Sequence, residues 1–578
     1  MIDISKQITE HFPELKDDKK FTSKQAINVL RALVHEDEIN GFIEQNKHLS
    51  GIDFLEEILE YFDFSYSISN KHREYIPSYG RSIIVSNHPI GSLDGLALLK
   101  LACEIRPDTK ILVNQLLYAI EPLRDFFIPL DNMTKKNNYK QVYSEVIDHL
   151  EQEGLVILFP AGEVSRLSIK GIKDGKWKSG FLHFAERTKS PIIPIHSKAR
   201  NSFLFYSVSS IYKPAATALL SNEMFNKNNQ IIQFKVGKPI NLKKVMDLGL
   251  KRKEVAKLIR KQVYLISKKK KNKKELLPTD VPIIHPIDKK GIRKELRNSK
   301  ILGETNDGKI IYLVNYSDSP KVLKEIARLR ELSFRMVDEG TGKRFDIDTY
   351  DRFYKHVVLW DEFDLEIVGA YRIGECDQIL KEIGADGLYT KTLFDFSEEF
   401  KSKLDSAIEL GRSFIQPRYW GLRGLDYLWY GIGAYLLENP KYKYMFGPVS
   451  LSDSYPKEAK ELIVGFYKEQ FGGSDTLVSA KTPFEMNREF SDFSGDYKES
   501  FKKLNDQLSE LGVKLPTLYK QYTELCNEDG SEFLDFNIDK DFGNCVDGLI
   551  FVKIELIKEK KKQRYIHSHK KLIQDSAA

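Results

Sequence analysis

The spacing of apolar positions changes character twice along the chain. Up to about residue 65 they recur at helical intervals, in INVLRALVHEDEINGFIEQ and again in GIDFLEEILEYFDF, which predicts helices. From 80 to about 245 short apolar runs take over: SIIVS, KILVN, GLVILFP and SPIIPIHS. Between them lie helix-patterned segments such as LDGLALLKLACEI and YKQVYSEVIDHLEQEG. Strands alternating with helices predict an α/β layer architecture. Residues 249–267 read as a closing amphipathic helix, with Val255, Leu258, Ile259, Val263 and Ile266 on one side.

A charge run followed by prolines, KKKKNKKELLPTDVPIIHP, reads as a linker, and a second alternating pattern begins near 300. GKIIYLVNY predicts a strand and VLKEIARLRELSFRMV an amphipathic helix. HVVLWD and LEIVGAYRIG predict a hairpin, SAIELGRSFI and YKYMFGPVSLS two further strands, and the sequence closes on DGLIFVKIEL and a basic tail. The division is a helical segment 1–65, an α/β domain 66–267, a linker 268–299 and a second α/β domain 300–578. A length of 578 residues suggests three or four compact units.

Charge sharpens this picture. Residues 251–300 carry 18 Lys/Arg against 5 Asp/Glu, while the whole chain has a net charge of only +6. Such a block fits a solvated linker and also an anionic membrane surface. It lacks the aromatic interleaving of a nucleic-acid module. The four cysteines, Cys103, Cys376, Cys526 and Cys545, form no ligand spacing, so neither a disulfide framework nor a metal site is expected. The first residues hold no apolar signal core, and no apolar run is long enough to span a bilayer.

Two constellations carry candidate chemistry. The first is NHPIGSLDG, in a loop after SIIVS. Asp94 fits a helix N-terminal cap and equally fits the carboxylate partner of His88, which would then take a proton from an attacking hydroxyl. The second lies between 325 and 450: Arg330 and Phe334, then Asp346, Asp348 and Asp351, Arg372, Glu409 and Arg412. Singly these fit surface ion pairs. Together they suit an amine that must be bound by carboxylates and deprotonated, with Glu409 as base and Arg372 and Arg412 clamping an α-carboxylate.

Ordered motifs extend the first constellation. GLVILFPAGEVSR supplies Phe159, Pro160, Gly162 and Glu163, and KWKSGFLHFAERTKSPIIPIHS supplies Gly180, Pro191 and Pro194. This series resembles the glycerolipid acyltransferases, over about 80–245. It departs from them in a His-x5-Asp spacing, one residue longer than usual, in Ala161 at the motif glutamate, and in DFFIPLDN where an arginine motif is usual. From about 300 to 555, RLRELSFR, ELGRSF and FGPVSLS resemble the hemolysin-like branch of the GNAT superfamily, which contains ornithine–acyl carrier protein N-acyltransferases. RYWGLRG (418–424) departs from the GNAT coenzyme A loop.

The pairing as a whole resembles bifunctional ornithine lipid synthases. That resemblance implies N-acylation of ornithine by the C-terminal domain from a 3-hydroxyacyl carrier protein. It then implies O-acylation of the lyso-lipid by the N-terminal domain, with His88 and Asp94 catalytic and no cofactor or metal. Substrate contacts would fall to Phe159, Pro160, Gly162, Glu163, Arg330, Phe334, Asp348, Asp351, Arg372 and Arg412. Acyl carrier protein and an anionic membrane are the implied partners, at the inner face of a bacterial cytoplasmic membrane. Two other readings stay open: a lipid built on glycine, lysine or a serine derivative, and a membrane-binding protein with degenerate acyltransferase domains.

Overall fold

The computed structural model describes residues 31–567, except 33–34, 131–138, 169–170, 212–219, 221, 226–229, 269–274, 475–476 and 488–492. Two compact units form, 1–282 and 283–578, where chain length suggested three or four. Most of the KKKKNKK run and the first 30 residues lie outside the described residues.

Among the described residues, unit 1 has nine strands: β1 (Phe64–Ser67), β2 (Ser82–Ser86), β3 (Thr109–Val113), β4 (Phe127–Pro129), β5 (Leu155–Leu158), β6 (Arg166–Ser168), β7 (Gly171–Lys173), β8 (Ile192–Lys198) and β9 (Gln230–Val236). Seven of them make one sheet in the order β1-β9-β8-β2-β5-β3-β4, and β6 and β7 form a separate ribbon. Within the seven-stranded sheet the pairings of β2 with β5 and β8 are parallel, and among its described pairings β8 with β9 alone is antiparallel. Every residue of SIIVS is buried, as a central parallel strand with both faces covered requires. Helix Ser92–Cys103 covers one face with helix Gly51–Tyr61. Helices Tyr139–Glu151, Gly180–Thr188 and Arg252–Ile266 cover the other. The segment read as a separate 1–65 therefore contributes core residues, Phe54 and Leu55, to the first layer.

Unit 2 contains β10 (Lys300–Glu304), β11 (Lys309–Val314), β12 (Lys355–Asp361), β13 (Glu366–Glu375), β14 (Phe394–Phe396), β15 (Ala407–Ile415), β16 (Tyr444–Leu451), β17 (Val478–Ala480), β18 (Ser531–Asp539) and β19 (Cys545–Lys553). Its main sheet has the order β10-β11-β12-β13-β15-β16-β19-β18. β12 and β13 form the expected hairpin. The parallel pairing of β15 with β16 stops after Glu409 and Phe446, and the two strands splay apart. Gly447 sits at the fork: a Cβ there would lie 1.9 Å from the Leu410 carbonyl oxygen, so only glycine lets the strands meet before diverging.

The segment read as a 268–299 linker divides between the units. Leu277 is buried in unit 1. Ile292 and Leu296, on helix Lys289–Arg297, are buried in unit 2. Polar composition hid these few apolar anchors.

Candidate active sites

In unit 1 the order of the strands reverses at β2, whose neighbours are β5 and β8. In a parallel sheet the crevice outside the carboxyl ends at such a point is where ligands bind. His88 stands there. The loop is pinned by Asn87, whose side chain exchanges two 2.9 Å hydrogen bonds with the backbone of Ser197. Gly91 adopts φ 105°, a conformation that side chains avoid, and this turn absorbs the extra residue of the His-x5-Asp spacing. Nδ1 of His88 consequently lies 2.9 Å from Oδ1 of Asp94. The approach is oblique, with neither atom in a well-aligned hydrogen bond, a geometry that tightens in many enzymes when substrate binds. Asp94 Oδ2 accepts a hydrogen bond from the Ile90 N–H. The aspartate thus orders the loop as well as facing the imidazole.

Phe159 stacks on the His88 ring, centroids 4.1 Å apart. Burial pulls the imidazole pKa down, but the carboxylates of Asp94 and Asp174 outweigh it and hold the pKa above its ordinary value. Asp174, which sequence reasoning passed over, is a hub. Its Oδ1 accepts from Ser165 Oγ at 2.5 Å and from the His88 N–H at 3.3 Å. Its Oδ2 accepts from Trp177 Nε1 at 2.9 Å. Its backbone is held by Tyr264 and Arg260 of the basic closing helix. Lodged in KDGKWK, it reads as a turn residue, and no sequence signal marks it. The backbone carbonyl of Pro160 accepts from the Lys178 N–H, and Gly162 turns at φ 69°. Glu163 pairs with Arg166 at 3.0 Å.

In unit 2 the expected residues do converge. Helix Pro320–Met336 buries Val322, Ile326 and Leu329 and carries Arg330 down against the sheet. Arg330 grips Asp351 with two hydrogen bonds of 2.9 and 2.7 Å. Asp351 also faces His356 Nε2 at 3.1 Å and Arg372 at 3.4 Å. Arg372 Nη1 lies 2.8 Å from both oxygens of Asp348. Arg412 lies 3.4 Å from Asp346 and stacks over Phe542 at 4.4 Å. Arg372 was expected to clamp a substrate carboxylate, but in this structure it is buried and engaged by Asp348 and Asp351. Arg412 is held less closely. It adopts φ 48°, a strained conformation for a residue other than glycine and one that concentrates at functional sites. Phe334 is a core residue, edge-on to Phe542 beneath Arg412.

Glu409 is buried at the last paired position before the strands fork. The Tyr354 hydroxyl donates to Oε2, and the Thr390 N–H donates to Oε1 at 2.7 Å. Burial pushes the Glu409 carboxyl upward, against the opposing pull of Tyr354, Thr390 and Arg372. Tyr354 and Thr390 were missed because they lie 55 and 19 residues away in sequence and only the register brings them in. Nearby, burial raises Asp547 to about 7, with Ser450 opposing. Burial and Asp547 raise Glu339 to about 7.

These two arrangements, a histidine–carboxylate pair at the switch point of one sheet and a buried carboxylate at the fork of another, each suit the removal of a proton from a nucleophile, and comparison with known proteins makes the chain an acyltransferase. Residues 8–272 match the acyltransferase family, and 329–430 match the acetyltransferase (GNAT) domain family. A glycine N(alpha)-acyltransferase of Phocaeicola vulgatus is 36% identical over 304 residues, 50% of this chain and 93% of that protein. A lyso-glycine lipid O-acyltransferase of the same organism is 31% identical, over 38% of this chain and 80% of that protein. An L-ornithine N(alpha)-acyltransferase of Brucella abortus is 29% identical over 23% of this chain and 50% of that protein. The chain belongs to the amino-acid lipid synthase family of acyltransferases. Among the described residues, no helix is long and apolar enough to cross a membrane.

Proposed function

We propose that the chain builds a doubly acylated amino-acid lipid in two steps, with glycine as head group. Unit 2 forms an amide between the glycine amine and an acyl group carried as a thioester on acyl carrier protein. The free amine attacks the thioester carbonyl, the C–S bond breaks, and the carrier leaves as its thiol with one proton from the nitrogen; freeing the amine from its ammonium form releases the other proton. Glu409 is the base for that proton, relayed through Tyr354. Unit 1 then esterifies a hydroxyl on the new N-acyl chain. His88 Nε2 takes the hydroxyl proton as the oxygen attacks a second thioester, and Asp94 stabilises the imidazolium; the C–S bond then breaks and the imidazolium returns its proton to the leaving thiolate. The reaction takes place at the inner surface of an anionic membrane.

The observation that carries this reading is the paired likeness, in one chain, to an amide-forming and an ester-forming enzyme of a single lipid. Glycine is favoured over ornithine by the higher identity, 36% against 29%. Ornithine remains a second reading because Glu339 and Asp547, adjacent carboxylates beside the site, have no ion-pair partner among the described residues and suit a second ammonium. Mass spectrometry of lipids from a host expressing the chain decides the head group. His88→Ala should accumulate the N-acyl amino acid and make no ester. Equal double acylation in that variant refutes the assignment.

A further inference from the structure

The carboxyl ends of β2, β5 and β8 carry more than the His88 loop. Beyond β5 the chain makes the β6–β7 ribbon, and beyond β8 it makes helix Phe203–Ile211. Ribbon and helix pack through a small separate cluster of Val164, Phe205 and Tyr206, joined by Ile172 and Leu220. That cluster touches the catalytic loop: a Cβ on Gly91 would lie 3.7 Å from Leu220 and 3.8 Å from Val164. Its inner face is therefore covered. Its outer face is not, since Phe203 is 82% exposed, Leu204 61% and Leu167 51%. Water-facing apolar side chains grouped beside a lipid-processing site call for an apolar partner.

The surrounding charge identifies that partner. Among the described residues of 163–178 and 198–206 six are basic, Arg166, Lys173, Lys176, Lys178, Lys198 and Arg200, against Glu163 and Asp174 alone. Asp174 is buried, and Glu163 pairs with Arg166 so that those two charges cancel and the balance stays positive. Apolar residues at the tip with cations around them match a bilayer carrying anionic headgroups: the tip enters the acyl boundary and the cations meet phosphate.

We propose that Leu167, Phe203 and Leu204 insert into an anionic bilayer and hold the His88 crevice at its surface. The purpose given to this contact rests on the esterification reading above, since a single-chain lipid is retained by membranes. The contact itself is measured without turnover. None of these three residues belongs to the lysine run at 268–274, and their insertion makes a different prediction about salt. Screening the cations weakens binding, while the inserted side chains keep part of it.

The test is sedimentation of the full chain with vesicles of phosphatidylethanolamine and phosphatidylglycerol, and with phosphatidylcholine vesicles alone. The expected result is preferential binding to the anionic vesicles. Phe203→Ser/Leu204→Ser should lower the partition coefficient roughly tenfold or more. Leu167→Ser alone should give a smaller loss. Phe363→Ser, at a residue 96% exposed in unit 2, should bind like the parent. Circular dichroism confirms that each variant is folded. His88→Ala, which tests the esterification, should also partition like the parent, so the two ideas fail separately. Unchanged partition of the double variant overturns the proposal. So does a loss of acyl carrier protein affinity in that variant with vesicle binding intact.

Discussion

Asp351 offers the sharpest test of the buried network in unit 2. It is 1% exposed and accepts two hydrogen bonds from Arg330 while facing His356 and Arg372. Asp351→Asn keeps the shape and removes the charge, leaving two guanidiniums without the anion between them. Breaking a buried pair in this way costs about 3–5 kcal/mol. Asp348, at 20% exposure with Arg372 as its principal partner, should cost roughly 1–2 kcal/mol as Asn. Tryptophan fluorescence during urea unfolding measures both. Trp177 is the only tryptophan of unit 1, so a Trp177→Phe background reports unit 2 through Trp360, Trp420 and Trp429. The acid side supplies a second reading. Burial pushes the Asp351 carboxyl up, but Arg330, His356 and Arg372 hold it well below its usual range. A depressed carboxylate stabilises the fold above its unfolded pKa of about 3.9 and loses that contribution as pH falls through the folded value. The parent should therefore lose more stability than the variant on acidification below about pH 4. A cost under about 1 kcal/mol for Asp351→Asn, or one no larger than for Asp348→Asn, would refute the network's role.

Three further outcomes are expected. Asp94→Asn should slow ester formation by about 10²–10⁴. It should also move the rise of rate with pH to lower pH, because one of the carboxylates that raise the His88 pKa is gone; initial rates across pH on a lyso-lipid check both. Tyr354→Phe removes a hydrogen bond that opposes the upward push of burial on Glu409. With the relay gone as well, amide formation should be slowed at every pH, and what remains should require higher pH, seen as a displaced acid limb in carrier-thiol release. Gly447→Ala forces a methyl against a strand carbonyl and should cost unit 2 about 1–3 kcal/mol or more, with amide formation lost and ester formation from supplied lyso-lipid kept; loss of both activities contradicts independent units.

Much of this architecture was legible in one dimension. SIIVS is a five-residue apolar run flanked by turn residues, and it became a strand buried on both faces. The hairpin and the helix bearing Arg330 followed from periodicity in the same way. The proximity of His88 to Asp94 was legible in type, but the turn at Gly91 that secures it was not, since a positive φ leaves no pattern beyond the glycine itself. What stayed hidden depends on distant register. Arg372 faces His356 across the hairpin, which places both guanidinium and imidazole on the face where Asp351 lies. No spacing rule announces that Arg372 meets protein carboxylates rather than a substrate. The linker reading failed for a related reason. Helix Lys289–Arg297 is mostly charged; it is tied down by two buried apolar residues, Ile292 and Leu296, and by ion pairs such as Lys289 with Glu366, whose partners lie far off in sequence.

The division at residues 282 and 283 has a consequence for supply. In Phocaeicola vulgatus the two similar enzymes are separate proteins, so their amounts can drift apart with expression. On the reading proposed above, translation here delivers one amide-forming unit for every ester-forming unit. On the proposed reading, the intermediate is a single-chain amphiphile of detergent character. A fixed one-to-one ratio of producer to consumer limits how far its concentration can rise, whatever the level at which the gene is read.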